Sequence, residues 1–155
     1  MKRKLVFYCF AAFFCKSVFA QDVLPGSTLR QAAELDPIQL IGRTVQEIIE
    51  SYGAPVSVYS VRGAEDWQDD VVFEYKNLDF YFYKDKVWQI SIKRGLGINV
   101  GDSRATALLL LGENTQDKGN HILKTLTGMN WPLQWRFSIN KSGKVSAIYL
   151  YRMDY

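Results

Sequence analysis

Tyrosine and glutamine recur at alternate positions in two stretches of the chain, Tyr81, Tyr83 and Gln89 in one and Tyr149 and Tyr151 in the other. Residues two apart on a strand share a face. If Leu78, Phe80, Phe82, Ile90 and Ile92 turn toward a core, these polar and aromatic side chains turn away from it together. The chemistry such a surface offers is recognition rather than bond-making, because tyrosine brings large contact area at low entropic cost. The plainer reading is that tyrosine simply suits strands. Trp67 is a further candidate contact, set among Glu65, Asp66, Asp69 and Asp70. A tryptophan in a polar loop serves as an anchor for a partner or folds back over a sheet edge. The acids around it could hold calcium through hard oxygen ligands, although the glycine and terminal glutamate of the EF-hand spacing are missing. A solvated acidic loop is the alternative.

Other chemistries are excluded by composition. His121 is the only histidine and Cys9 and Cys15 the only cysteines, both near the N-terminus. That excludes a multi-histidine metal centre and a tetrahedral thiolate site. His121 sits in a polar stretch and reads as a solvated loop residue. No P-loop, dinucleotide-binding glycine pattern, nucleophile elbow or zincin helix is present. The expectation is a protein without catalytic residues, metal or cofactor.

The first 20 residues read as an export signal. Lys2-Arg3-Lys4 is a basic start, Leu5 to Phe14 an apolar run, and Val18-Phe19-Ala20 ends in the small residue that a signal peptidase requires. The run is shorter than the ~20 residues that cross a bilayer. A retained anchor and a lipoprotein signal acylated on Cys15 are the alternatives, the second against Phe14, which stands where a small residue belongs; either would attach the protein to a membrane. Removing the segment takes away four basic residues and no acid, so the formal +3 becomes −1. Nothing then favours nucleic acid as a partner. Without cysteine the exported chain must be stabilised by its core.

Several elements must position the tyrosines. Val71 to Arg94 reads as three antiparallel strands with turns at Lys76-Asn77 and Lys84-Asp85-Lys86, in which Trp88, Ile90 and Ile92 alternate with Gln89, Ser91 and Lys93. Upstream, Thr44 and Glu47 form a capping box for a helix carrying Val45, Ile48, Ile49 and Tyr52, ended by Gly53 and Pro55. Val56 to Val61 follows as a strand. The pattern then returns. Gly101-Asp102-Ser103 opens a helix carrying Ala105, Leu108, Leu109 and Leu111, which stops at Gly112. Ile122 to Leu126 reads as a short strand, and a further strand holds Trp131, Leu133 and Trp135. Asp79 to Arg94 aligns with Arg136 to Arg152 if Gly143 is an insertion.

These features predict an α+β fold of two tandem helix-plus-antiparallel-meander repeats, with the helices packed on one face of the sheet. Residues 1–20 are the signal, 21–40 a tether with a short helix from Ser27, 41–94 the first repeat and 95–155 the second. LIGRTVQEIIESYGAP (Leu40 to Pro55) and KDKVWQI (Lys84 to Ile90) resemble motifs of the SmpA/OmlA (BamE-like) outer-membrane assembly lipoproteins. The tandem copy behind an export signal resembles the β-lactamase-inhibitor-protein arrangement, in which two such units share a binding surface. The chain departs from the first family in lacking a good lipobox and from the second in lacking cysteines beyond the signal. The resemblance implies a periplasmic or secreted protein with a protein partner, an outer-membrane complex being one such partner. Inhibition of an enzyme and carriage of a small ligand are the alternatives.

If Ala20 ends the signal, the exported protein begins at Gln21 and carries no lipid. Intact mass spectrometry of protein recovered from the envelope checks this, and diacylglycerol on Cys15 would reverse it.

Overall fold

The computed structural model describes residues 36–62 and 70–155. The readings placed on 1–35 (signal, Cys15, most of the tether) and on 63–69 (Trp67 with Glu65, Asp66 and Asp69) lie outside the described residues. A short 3-10 turn, Pro37–Leu40, is capped by Asp36, whose Oδ1 accepts from the Ile38 amide at 3.1 Å. Helix α1 follows over Val45–Tyr52, then strands β1 (Ser57–Val61), β2 (Asp70–Glu74), β3 (Leu78–Tyr83) and β4 (Lys86–Ile92). Two short strands, β5 (Arg94–Gly95) and β6 (Ile98–Asn99), lead to helix α2 (Arg104–Leu111). The chain ends with β7 (Thr115–Asp117), β8 (His121–Leu126), β9 (Leu133–Ile139) and β10 (Val145–Arg152).

The expectation of two tandem helix-plus-meander repeats is corrected by the strand pairing. Eight strands form one antiparallel sheet in the order β1-β2-β3-β4-β10-β9-β8-β7. Among the described residues only two eight-residue α-helices accompany it, so that part of the chain is dominated by strand. The physical reason is that a meander leaves its last strand with unpaired backbone groups. Here β4 and β10 satisfy each other, Ile92 opposite Ile148 and Ile90 opposite Leu150. β1 extends one side by pairing with β2, and β7 extends the other by pairing with β8.

Local signals act where the chain must turn. Thr44 Oγ1 accepts from the Glu47 amide at 3.2 Å and Glu47 Oε2 accepts from the Thr44 amide at 2.8 Å, a reciprocal cap. This hydrogen bonding also draws the Glu47 carboxyl below its ordinary range. At α2, Ser103 Oγ accepts from the Thr106 amide at 3.1 Å, with no glutamate to complete a box. Each helix start is bonded to the sheet by a pair of backbone bonds. Gly42 N donates to Val87 O and Val87 N to Arg43 O; Gly101 N donates to Val145 O and Val145 N to Asp102 O. The turn between β3 and β4 places Lys84 and Asp85 at φ 46° and 66°, which suits a two-residue hairpin.

One face of the sheet carries the core. Phe73, Phe80, Phe82, Ile90, Trp135, Phe137, Ile148 and Leu150 join Leu40, Ile48 of α1, and Ala107 and Leu111 of α2 in a single buried cluster. The helices bury less than their periodicity suggests. Ile49 is exposed, and Leu109, expected on the inner face, is 82% exposed while Ala107 is fully buried. The hairpin joining the halves is pinned at Gly95, where a Cβ would lie 2.6 Å from Trp135 Cζ3. Trp135 is buried and stacked on Phe137, so its ring has little room to retreat.

Phe80→Ala should cost about 3–5 kcal/mol in a denaturant titration, and Thr44→Ala about 1 kcal/mol. Gly95→Ala should cost about 1–3 kcal/mol through overpacking against Trp135. A Gly95→Ala variant as stable as the parent would show that the β5–β6 hairpin does not abut that ring.

Candidate functional site

The face opposite the core is built from the alternate residues, and the pairing lines them up across the strands. Tyr59, Val72, Tyr81, Gln89, Tyr151, Gln134 and Thr125 are successive cross-strand partners from β1 to β8. A neighbouring row runs Glu74, Asp79, Ser91, Tyr149, Arg136, Leu123. Where the rows pass the centre of the sheet they border a trough of about 510 Å³, lined by Tyr81, Trp88, Gln89, Arg136, Ser138, Tyr149 and Tyr151.

Four residues singled out in the sequence, Tyr81, Gln89, Tyr149 and Tyr151, therefore meet in one place. Tyr83 does not line the trough. Its ring packs edge-on against Tyr155 at 5.4 Å, with Lys84 Nζ 5.1 Å from its centre. Trp67 lies outside the described residues. Alternation places Trp88 on the side of Ile90 and Ile92, and the structure corrects this. Tyr81 pairs with Gln89 but Phe82 pairs with Val87, so Trp88 is the extra residue of a bulge. Val87 fills the core and Trp88 joins Gln89 on the open face, where its Nε1 donates to Asp70 Oδ1 at 3.0 Å. Arg136 and Ser138 were also missed. The alternation of Leu133, Trp135 and Phe137 contained their direction, since intervening residues of that strand must face the other way.

Burial dominates the electrostatics of this face. Tyr81 is pushed up to about 12, first by desolvation and then by Tyr149, Tyr59 and the acids Asp79 and Asp70. Tyr59 and Tyr151 are also raised, chiefly by burial. Asp79 is raised by burial and by Glu74, against the opposing hydrogen bond from Ser91 and the charge of Lys93. Tyr151 donates to Gln134 Oε1, and Gln134 Nε2 donates to Thr125 Oγ1 at 2.9 Å, so this buried amide is satisfied within the sheet. The trough thus presents three phenols, an indole, an amide, a serine hydroxyl and one guanidinium. His121, at the start of β8, contacts Asn120 Oδ1 through Nδ1 at 2.6 Å. Among the described residues no group of three or more His, Cys, Asp or Glu side chains could hold a metal ion.

No family model matches the chain, and no curated protein matches it either. Among solved structures the chain is similar to an extracellular protein containing a SCP domain from Bacillus anthracis str. Ames, at 10% identity and a TM-score of 0.47. The likeness covers 76% of this chain and 45% of that one, so the chain spans less than half the length of that protein. Among the described residues no helix is long and apolar enough to cross a membrane.

The upward shift of Tyr81 has a consequence for stability. The unfolded chain releases this proton near 10.0 and the folded protein keeps it to about 12. Stability is therefore unaffected below pH ~10 and falls as pH rises toward ~12, because there the unfolded state binds fewer protons. Tyr81→Phe should flatten that part of the profile when melting is followed against pH. Equal alkaline slopes in the two proteins would mean that the hydroxyl is solvated in the folded state.

Proposed function

We propose that this chain is a non-enzymatic exported envelope protein that binds a protein partner through the open face of its sheet. The observation that supports the reading is the trough itself, where Tyr81, Trp88, Tyr149 and Tyr151 gather at the centre of a face that neither helix covers. Aromatic side chains in a partly desolvated depression are the usual anchors of a protein interface. The export signal motif at 1–20 supports a periplasmic or secreted location. The resemblance of Leu40 to Pro55 to the SmpA/OmlA motif suggests an accessory of an outer-membrane complex, and the β-lactamase-inhibitor likeness suggests an enzyme as partner. Capture of a small ligand is a second reading favoured by one measurement, since about 510 Å³ lies within the ~300–1,000 Å³ of small-molecule sites.

Tyr149→Ala should leave stability within about 0.5 kcal/mol of the parent and weaken retention of the natural partner by about 2 kcal/mol or more. The check is a paired one: thermal melting, and cross-linked capture from fractionated envelope with the parent as reference. Co-purification with an outer-membrane complex favours the accessory reading, and with a soluble enzyme the inhibitor reading. Undiminished capture by a folded Tyr149→Ala protein would remove this face from consideration.

A further inference from the structure

Arg136 stands out on the open face because, among the described residues, no carboxylate is paired with it. Arg104 pairs with Asp117 and Arg152 with Asp154, and neither pair involves Arg136. Its row of the sheet contains one acid pair, Glu74 and Asp79, at the far side. Three strand spacings separate Asp79 from Arg136, about 14 Å, which is beyond the combined reach of the two side chains. Between them stand only Ser91 and Tyr149, both neutral. Its charge acts on Tyr151, whose phenol it pulls downward against the larger effect of burial.

We propose that the trough receives an acidic side chain from an extended segment of the partner, its carboxylate paired with the Arg136 guanidinium. The inference rests on the protein-binding reading and adds the chemistry of the partner. Charge complementarity identifies it. A guanidinium offers a planar fork that matches a carboxylate, and the match strengthens where aromatic walls exclude water. Tyr81 adds a phenol hydroxyl and Gln89 an amide, so further donors face the same depression. Trp88, Tyr149 and Tyr151 give flanking apolar residues a surface to pack on. The acids Asp79 and Glu74 at the other end of the row disfavour a second negative charge there and so orient the segment.

The test uses two end-blocked peptides that differ only in a central Glu or Gln between two Phe residues, titrated against the full chain with intrinsic tryptophan fluorescence and amide chemical shifts as readouts. The glutamate peptide should bind about tenfold more tightly than the glutamine one, and the gap should narrow as salt is raised. Arg136→Gln should erase the gap while melting with the parent, because Arg136 is exposed. Arg136→Lys should retain part of it. Equal affinities, no binding of either peptide, or a gap that survives Arg136→Gln would each overturn the proposal. So would N-acetylglutamate binding as tightly as the peptide, which would assign the site to a small acidic ligand. Partner capture separates the two readings: loss with Tyr149→Ala but not with Arg136→Gln keeps the protein-binding reading and rejects this one.

Discussion

The antiparallel pairing of β4 with β10 is the interaction on which the rest of the structure depends. It sets Ile92 against Ile148 and Ile90 against Leu150 on one face, and Gln89 against Tyr151 and Ser91 against Tyr149 on the other. A strand at the edge of a sheet exposes a row of unsatisfied backbone groups. By facing each other, β4 and β10 remove two such edges from the middle of the molecule. The same pairing makes one core out of two sets of apolar side chains and one open face out of two sets of tyrosines. Breaking it would leave each half with a smaller buried surface and divide the trough.

The two faces of the sheet solve different problems. The inner face is filled by aromatic and branched residues in edge-on contacts, among them Phe73 with Phe82 at 4.9 Å and Tyr52 with Phe80 at 5.4 Å. The outer face holds residues that are partly dry and yet polar, so each needs a partner or a cause to remain neutral. Gln134 and Tyr151 supply partners for each other; Tyr81 is a neutral phenol as any tyrosine is at about pH 7, and burial extends that neutrality into the alkaline range. Among the described residues no carboxylate pairs with Arg136, while Glu74 and Asp79 lie at the other end of its row, so charge is unevenly placed across the face.

One end of the trough is braced by the last residues of the chain. Arg152 leaves β10, lies 3.8 Å from the Trp131 ring and 4.4 Å from that of Tyr155, and donates to both oxygens of Asp154. Tyr155 in turn packs on Tyr83 and, at 6.3 Å, on Trp88. The bulge aims Trp88 outward; this aromatic group and the bond to Asp70 hold it there. A rigid ring at the rim loses less freedom on binding than a mobile one, which is how preorganisation raises affinity.

Much of the chain was legible residue by residue. Thr44 and Glu47 announced their cap, Gly53 and Gly112 their helix ends, and Phe80, Phe82, Ile90 and Ile92 their common face, because these signals act within one turn of helix or along one strand. Where a local rule was broken the reading failed. The bulge at Trp88 adds one residue to one strand, and alternation has no way to register that without the partner strand. Leu109 carries an apolar side chain on the outside of α2, and no periodicity in eight residues distinguishes it from Ala107. The assembly of both halves into one eight-stranded sheet was decided by tertiary structure alone. Hydrogen bonds between β4 and β10 join residues about 60 positions apart, and the backbone groups that form them are the same in every sequence. Which side chains the chain turns inward is therefore written locally, whereas which strands lie together follows from the edges and apolar surfaces that only the folded whole can satisfy.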